Sequence, residues 1–295
     1  MPQVEANGIR IEVETRGPED APAFLLIRGL STQLIQWPEV FLDRFVDAGY
    51  RVVVFDNRDC GLSSKIDDVP MPSMGDVVSG ASPSPYAVAD MARDAVGVLD
   101  VLGITRADAA GISLGGMVAQ HLAIDHGDRF RSVTSVMSSS GAPGLPSGTP
   151  EAMKALSEPP PDPTDREVVI THNMKNQKII GSPGFPATPE ELRAYCERAY
   201  DRGYCPEGTA RQMMAVLSDR TRADRLASIS VPFQVLHGRD DRLIPLACGE
   251  DTAKRAGAPL VVIDGMGHDV TVANSGPIAD ALIGFAERSQ AHTSG

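Results

Sequence analysis

Apolar residues along the chain fall into two alternating patterns. Short runs rich in Val, Ile and Leu, too short for helices and bounded by turn residues, stand at 9–15, 23–27, 51–56, 107–112, 132–138, 233–237 and 260–264, and each reads as a strand. Between them lie longer stretches with helical spacing, near 37–48, 86–102, 114–126, 246–256 and 276–288. The stretch at 86–102 shows the spacing most plainly: Val88, Met91, Ala95, Val98, Leu99 and Leu102 recur three or four apart and form one apolar face. Strands alternating with helices predict an α/β fold, a mostly parallel sheet flanked by helices.

The alternation stops after the run of serines ending at Ser140. From 141 to 228 no strand pattern is visible. The interval holds the proline-rich stretch SEPPPDPTD (157–165) and a segment whose start is marked by Thr188, with Glu190 and Glu191 placed to favour a helix N-terminus. Strand character resumes at VPFQVLHG. The expected organisation is therefore a core of 1–140 and 229–295 interrupted by a helical insertion at 141–228, which would lie over one edge of the sheet as a lid. The tail from 288 is expected to fray.

Composition narrows the partners. With 39 acidic against 27 basic residues the net charge is −12, and no basic run could follow a phosphate backbone, so nucleic acid is a poor candidate. Cys60, Cys196, Cys205 and Cys248 are scattered without metal-ligand spacing and suit a reducing compartment. No apolar run approaches the roughly 18 residues that span a bilayer, and the first residues lack a secretory pattern, so a cytoplasmic location is expected.

The candidate chemistry begins at GISLG (111–115), which sets Ser113 between glycines, directly after a strand and before a helix. A chain with 28 glycines in 295 residues would carry a chance G-x-S-x-G about once in five cases, so the pentapeptide needs company. A serine hydroxyl is a weak nucleophile near neutral pH and requires a base in reach and an acid to orient that base. VIDGMGHDV ends a strand and delivers His268 from a turn containing Gly265 and Gly267. LHGRDDRLIP follows another strand and offers Asp241, with Asp240 as the alternative. The remaining histidines, His121, His126, His172, His237 and His292, have packing or surface contexts, and Cys60 has no histidine in its motif and is expected to be buried and inert.

With the order Ser, Asp, His in these contexts, the chain resembles the α/β-hydrolase family over nearly its whole length. The resemblance makes GISLG the nucleophile elbow and aligns Gly238, Asp241 and Pro245 with the G-x-x-D-x-x-x-P loop and His268 with G-x-G-H. FDNRDCGLSS (55–64) resembles the family's D-x-R-G-x-G-x-S loop, with Asp56, Arg58, Gly61 and Ser63 in place and Asp59 where glycine is usual; a structural, ion-paired turn is expected there. LLIRGLSTQLIQW (25–37) takes the position of the oxyanion loop, which implies the amides of Leu30 and Leu114 as oxyanion donors. Arg28 stands where the family most often has histidine. It either pairs with a nearby carboxylate or faces the pocket and binds substrate, favouring one with an acceptor or an anion.

The resemblance implies an enzyme, a carboxylic ester hydrolase acting on a small-molecule ester through an acyl-enzyme, with no metal or organic cofactor. Serine at the elbow argues against the haloalkane dehalogenases and epoxide hydrolases, which use aspartate. The NRD-x-G-x-S loop and the helix DMARDAVGVLDVLGI resemble the bacterial esterase branch that includes the aclacinomycin methylesterases. Two other readings fit the same motifs: a cofactor-free haloperoxidase or perhydrolase, and a non-catalytic α/β-hydrolase that binds a ligand.

Overall fold

The computed structural model describes residues 3–291. Its strands are β1 (Gln3–Ala6), β2 (Ile9–Arg16), β3 (Ala23–Ile27), β4 (Arg51–Phe55), β5 (Ala107–Ile112), β6 (Phe130–Val136), β7 (Phe233–Gly238) and β8 (Leu260–Ile263). They form one sheet in the order β1-β2-β4-β3-β5-β6-β7-β8. β1 and β2 run antiparallel, as do β2 and β4, and the pairs from β4 to β8 are parallel.

β1 is the strand that the apolar pattern misses. Only Val4 and Ala6 are apolar in it, and it exists because it pairs with β2, Ala6 opposite Ile9. Asn7 and Gly8 between them both have positive φ, 51° and 79°, the geometry of a type I′ hairpin turn. The Asn-Gly pair is thus the signal from which β1 could have been read.

Helices α1 (Glu39–Asp47), α3 (Val88–Val101), α4 (Leu114–Asp125), α10 (Leu246–Ala256) and α11 (Ser275–Ala291) flank the sheet close to where the spacing places them; α2 (Met74–Ser79) is an additional short helix. α11 runs on to Ala291, past the point where fraying was expected, and His292 lies outside the described residues. The side chains of β3 alternate between the two faces. Leu25 and Ile27 join the core under α3 and α4 with Met91, Val98, Val118 and Leu122, whereas Phe24 and Leu26 join the core under α1 and α11 with Phe41, Phe45, Ile278 and Leu282. Burying each such side chain stabilises the fold by roughly 1.5–3 kcal/mol, which fixes the strand register.

Between β6 and β7 the chain is helical: α5 (Pro150–Ser157), α6 (Arg166–Ile180), α7 (Pro189–Gly203), α8 (Pro206–Ser218) and α9 (Arg222–Arg225). Thr188 caps α7 as its sequence suggests, its hydroxyl accepting from the Glu191 amide while the Glu191 carboxylate accepts from the Thr188 amide at 2.7 Å. Among the described residues no helix is long and apolar enough to cross a membrane.

Candidate active site

In the parallel part of the sheet, the chain runs outward from β3 to β4 and then crosses back to β5, so β3 and β5 meet at a topological switch point. Loops leaving the carboxyl ends of such strands diverge and leave a crevice. Gly29 follows β3, and Ser113 follows β5.

β5 ends at Ile112 and α4 begins at Leu114, so Ser113 alone makes the turn, at φ 55° and ψ −118°. A non-glycine residue holds such a conformation at a cost of about 1–3 kcal/mol, and only where its surroundings enforce it. Here the glycines do so. A Cβ on Gly111 would lie 1.8 Å from the Gly115 carbonyl oxygen, one on Gly115 2.3 Å from that of Ile27, and one on Gly116 2.5 Å from the Ser138 Cβ. The Ser113 amide donates to the Val136 carbonyl at 3.0 Å and its carbonyl accepts from the Ser138 hydroxyl at 2.8 Å, which pins the turn to β6.

The Ser113 Oγ lies 2.9 Å from His268 Nε2, and His268 Nδ1 lies 2.7 Å from Asp241 Oδ2. The other Asp241 oxygen accepts the amides of Leu243 and Ile244 at 2.9 and 2.8 Å, so this carboxylate is fixed before it meets the imidazole. Asp240 points elsewhere and accepts the Gly265 amide at 2.8 Å. His237 sits fully buried beneath the Asp241 loop, with Nε2 donating to the Ile244 carbonyl at 2.8 Å; burial pushes its imidazole below its ordinary value.

Gly29 packs on the nucleophile so closely that a Cβ there would be 3.0 Å from the Ser113 Cβ. The next amide, of Leu30, and that of Leu114, the first of α4, donate to no other group among the described residues. The loop between them and the inserted helices is held by a residue that the motifs do not reveal. Gln212 on α8, fully buried, accepts the Ser31 amide at 2.8 Å and donates to the Arg58 carbonyl at 2.8 Å, while Ser31 itself has φ 57°.

The loop at 55–64 is an ion-paired turn, and its pairs reach further than its own sequence shows. Arg58 clasps Asp94 of α3 with two bonds of 2.6 Å. Asp56 holds Arg202 of α7 at 2.6 Å, and Asp59 holds Arg211 of α8 at 2.7 and 2.9 Å. Asp59 has φ 65°, the conformation that explains glycine in the family pattern; here the carboxylate anchors an inserted helix instead. Cys60 is buried and free, and burial pushes its thiol up.

Arg28 has no carboxylate partner among the described residues. It is 3% exposed, lies over the Trp37 ring at 4.7 Å and donates through Nη2 to the Tyr195 hydroxyl of α7 at 2.9 Å. Its Nε and Nη1 are unpartnered.

A third clasp holds the histidine loop, and no sequence motif announces it. The His268 amide donates to the Ile180 carbonyl at the end of α6, and the Gly267 amide to the Ser182 hydroxyl, both at 2.8 Å. Ser182 donates in turn to the Asp269 carboxylate, and Asn274 donates to Ser182 and Asp269 at 3.1 and 3.2 Å. Burial raises the Asp269 carboxyl above the ordinary carboxylate range, opposed by the Ser182 bonds. Gly267 and Gly181 allow the approach, since a Cβ on Gly267 would be 2.4 Å from the Gly181 oxygen.

Residues 24–281 match the family model for the alpha/beta hydrolase family. The chain is 27% identical over 287 residues to the rhodomycin D methylesterase DnrP of Streptomyces peucetius, covering 90% of both chains. Among solved structures it resembles an enol-lactonase from Burkholderia xenovorans LB400 (TM-score 0.70, 22% identity, 97% of this chain and 100% of that one), a likeness of fold. It also resembles Est816, an N-acyl homoserine lactone degrading enzyme (TM-score 0.71, 25% identity, 96% and 100%).

Proposed function

The chain belongs to the α/β-hydrolase family, and from that premise we propose that it is a serine esterase in which a carboxylic ester or lactone acylates Ser113 and water then releases the acid. The observation that carries this reading is the unbroken hydrogen-bond chain from Asp241 through His268 to a serine held in a strained turn beside two free amides.

His268 takes the Ser113 proton through Nε2 as the oxygen attacks the carbonyl, while Asp241 keeps Nδ1 protonated and stabilises the imidazolium. The developing oxyanion lies at the start of α4, where the Leu30 and Leu114 amides and the positive end of the helix dipole meet it. His268 then passes its proton to the leaving alcohol, and the same groups activate water against the acyl-enzyme. Base catalysis of this kind contributes roughly 10²–10⁴-fold, and a single oxyanion donor about 10²–10³-fold.

The names of two similar proteins, a methylesterase and an N-acyl homoserine lactone degrading enzyme, favour an ester-type carbonyl over other substrates. Residues 141–228 would act as the lid, since α6, α7 and α8 each clasp a loop of the site. Four free cysteines suit the reducing cytoplasm to which we assign the protein. The reading is tested with p-nitrophenyl esters of increasing acyl length. Turnover is expected in the native protein, and Ser113→Ala and His268→Ala should each lower kcat by at least about 10³-fold with the fold intact. Equal turnover in native protein and variants would refute it.

A further inference from the structure

Among the described residues, four arginines near the site or the insertion are buried: Arg28, Arg58, Arg211 and Arg222. Three are answered: Arg58 by Asp94, Arg211 by Asp59 and Arg222 by Asp219. Arg28 is not. Two of its three guanidinium nitrogens have no acceptor, and its remaining bond goes to a neutral hydroxyl. A buried cation without a counter-ion is strongly unfavourable, so an anionic partner would relieve it.

Arg28 belongs to the loop that packs on the nucleophile. It precedes Gly29, whose added Cβ would come within 3.5 Å of the Ser113 Oγ, and stands two residues before the oxyanion donor Leu30. Around it are the Trp37 ring, the Tyr195 hydroxyl and the Cys60 thiol; Asp56 of the neighbouring loop already accepts from Leu34, Leu62 and Arg202. Burial pushes the guanidinium below its ordinary value, with Tyr195 and Cys60 only partly opposing it. One uncommitted cation suits a monoanion, and a carboxylate is a monoanion whose oxygens guanidinium N–H groups bind well.

We propose that Arg28 is the anion subsite of the reaction centre, taking the carboxylate of a substrate that is at once an ester and an acid, such as a monoester of a dicarboxylic acid. This rests on the esterase reading for its catalytic consequence, but the binding it predicts does not need catalysis. Trp37, the single tryptophan of the chain, lies directly under the guanidinium and reports on it.

The experiment titrates monomethyl glutarate, dimethyl glutarate and chloride into the native and Ser113→Ala proteins while following tryptophan emission. A saturable change with the monoester, at least tenfold weaker with the diester, is expected in both proteins. It should vanish in Arg28→Met and weaken in Arg28→Lys, which keeps the charge and guards against a folding failure of the first variant. In kinetics, Arg28→Met should lose at least tenfold more kcat/KM on mono-p-nitrophenyl glutarate than on p-nitrophenyl butyrate.

Identical titrations in native and Arg28→Met proteins, equal kinetic losses on both esters, or chloride saturating the signal at the monoester's concentrations (an adventitious ion only) would each overturn the subsite. The two readings fail separately. Monoester binding without hydrolysis of any ester sinks the esterase and leaves the subsite standing, whereas turnover of neutral esters without monoester binding does the reverse.

Discussion

At the scale of single residues, the site depends on what is missing as much as on what is present. Ser113 can hold φ 55° because Gly111, Gly115 and Gly116 leave room for the backbone of β5, α4 and β3 to close on one another. Gly111→Ala should therefore destabilise the protein by on the order of 3 kcal/mol or more and abolish activity, read as a fall in the urea midpoint and in ester turnover. Ser113, Asp241 and His268 are legible in the sequence because each follows its own strand within a few residues, so local pattern fixes where they emerge. Arg28 is visible as an oddity in its loop, but its lack of a carboxylate partner is not: that depends on where Asp56 and Tyr195 direct their polar atoms, which no spacing encodes.

Elements add a second layer, in which helices of the insertion grip the loops of the proposed site. Ser182, between α6 and α7, supports the His268 loop through Gly267 and Asp269. Ser182→Ala should lower kcat about tenfold with KM nearly unchanged, since the imidazole loses its alignment and the substrate keeps its contacts, and Ser182→Thr should restore part of the loss. A parallel fall in thermal stability with no change in kcat would mean a merely structural bond. Asp59 and Arg211 lock α8 to the turn at 55–64, with both side chains buried. Asp59→Gly relieves a positive φ yet leaves a buried guanidinium without its main partner, so a net loss of about 3 kcal/mol is expected. In a double-mutant cycle, adding Arg211→Met should recover more than half of it, and additive losses would deny the coupling. These clasps escape sequence reading because the insertion lacks the strand alternation that places its helices, and Gln212, Tyr195 and Ser182 carry no motif.

At the scale of the whole molecule, the sheet brings Gly29 and Ser113 together at its switch point and sets the Asp241 and His268 loops on the strands beyond β6. Strand alternation makes that core legible, and the edge hairpin of β1 and β2 is readable only through Asn7 and Gly8. The fold is also expected to lose stability in acid. His237 is buried with its pKa lowered from 6.5, so the folded state binds fewer protons than the unfolded chain as pH falls through that value. Stability from this group is complete above about pH 6.5 and lost below it. Melting temperature should drop between pH 7.5 and 5.5, with a shallower slope in His237→Gln; an unchanged slope would place the acid sensitivity elsewhere. The central claim, that this architecture exists to make one serine nucleophilic, is tested most directly by treating the folded protein with a fluorophosphonate and mapping the adduct by peptide mass spectrometry. One equivalent on Ser113, absent after denaturation and absent in Ser113→Ala, is the predicted result; an unlabelled Ser113 in the folded protein, or labelling that unfolding does not abolish, would contradict it.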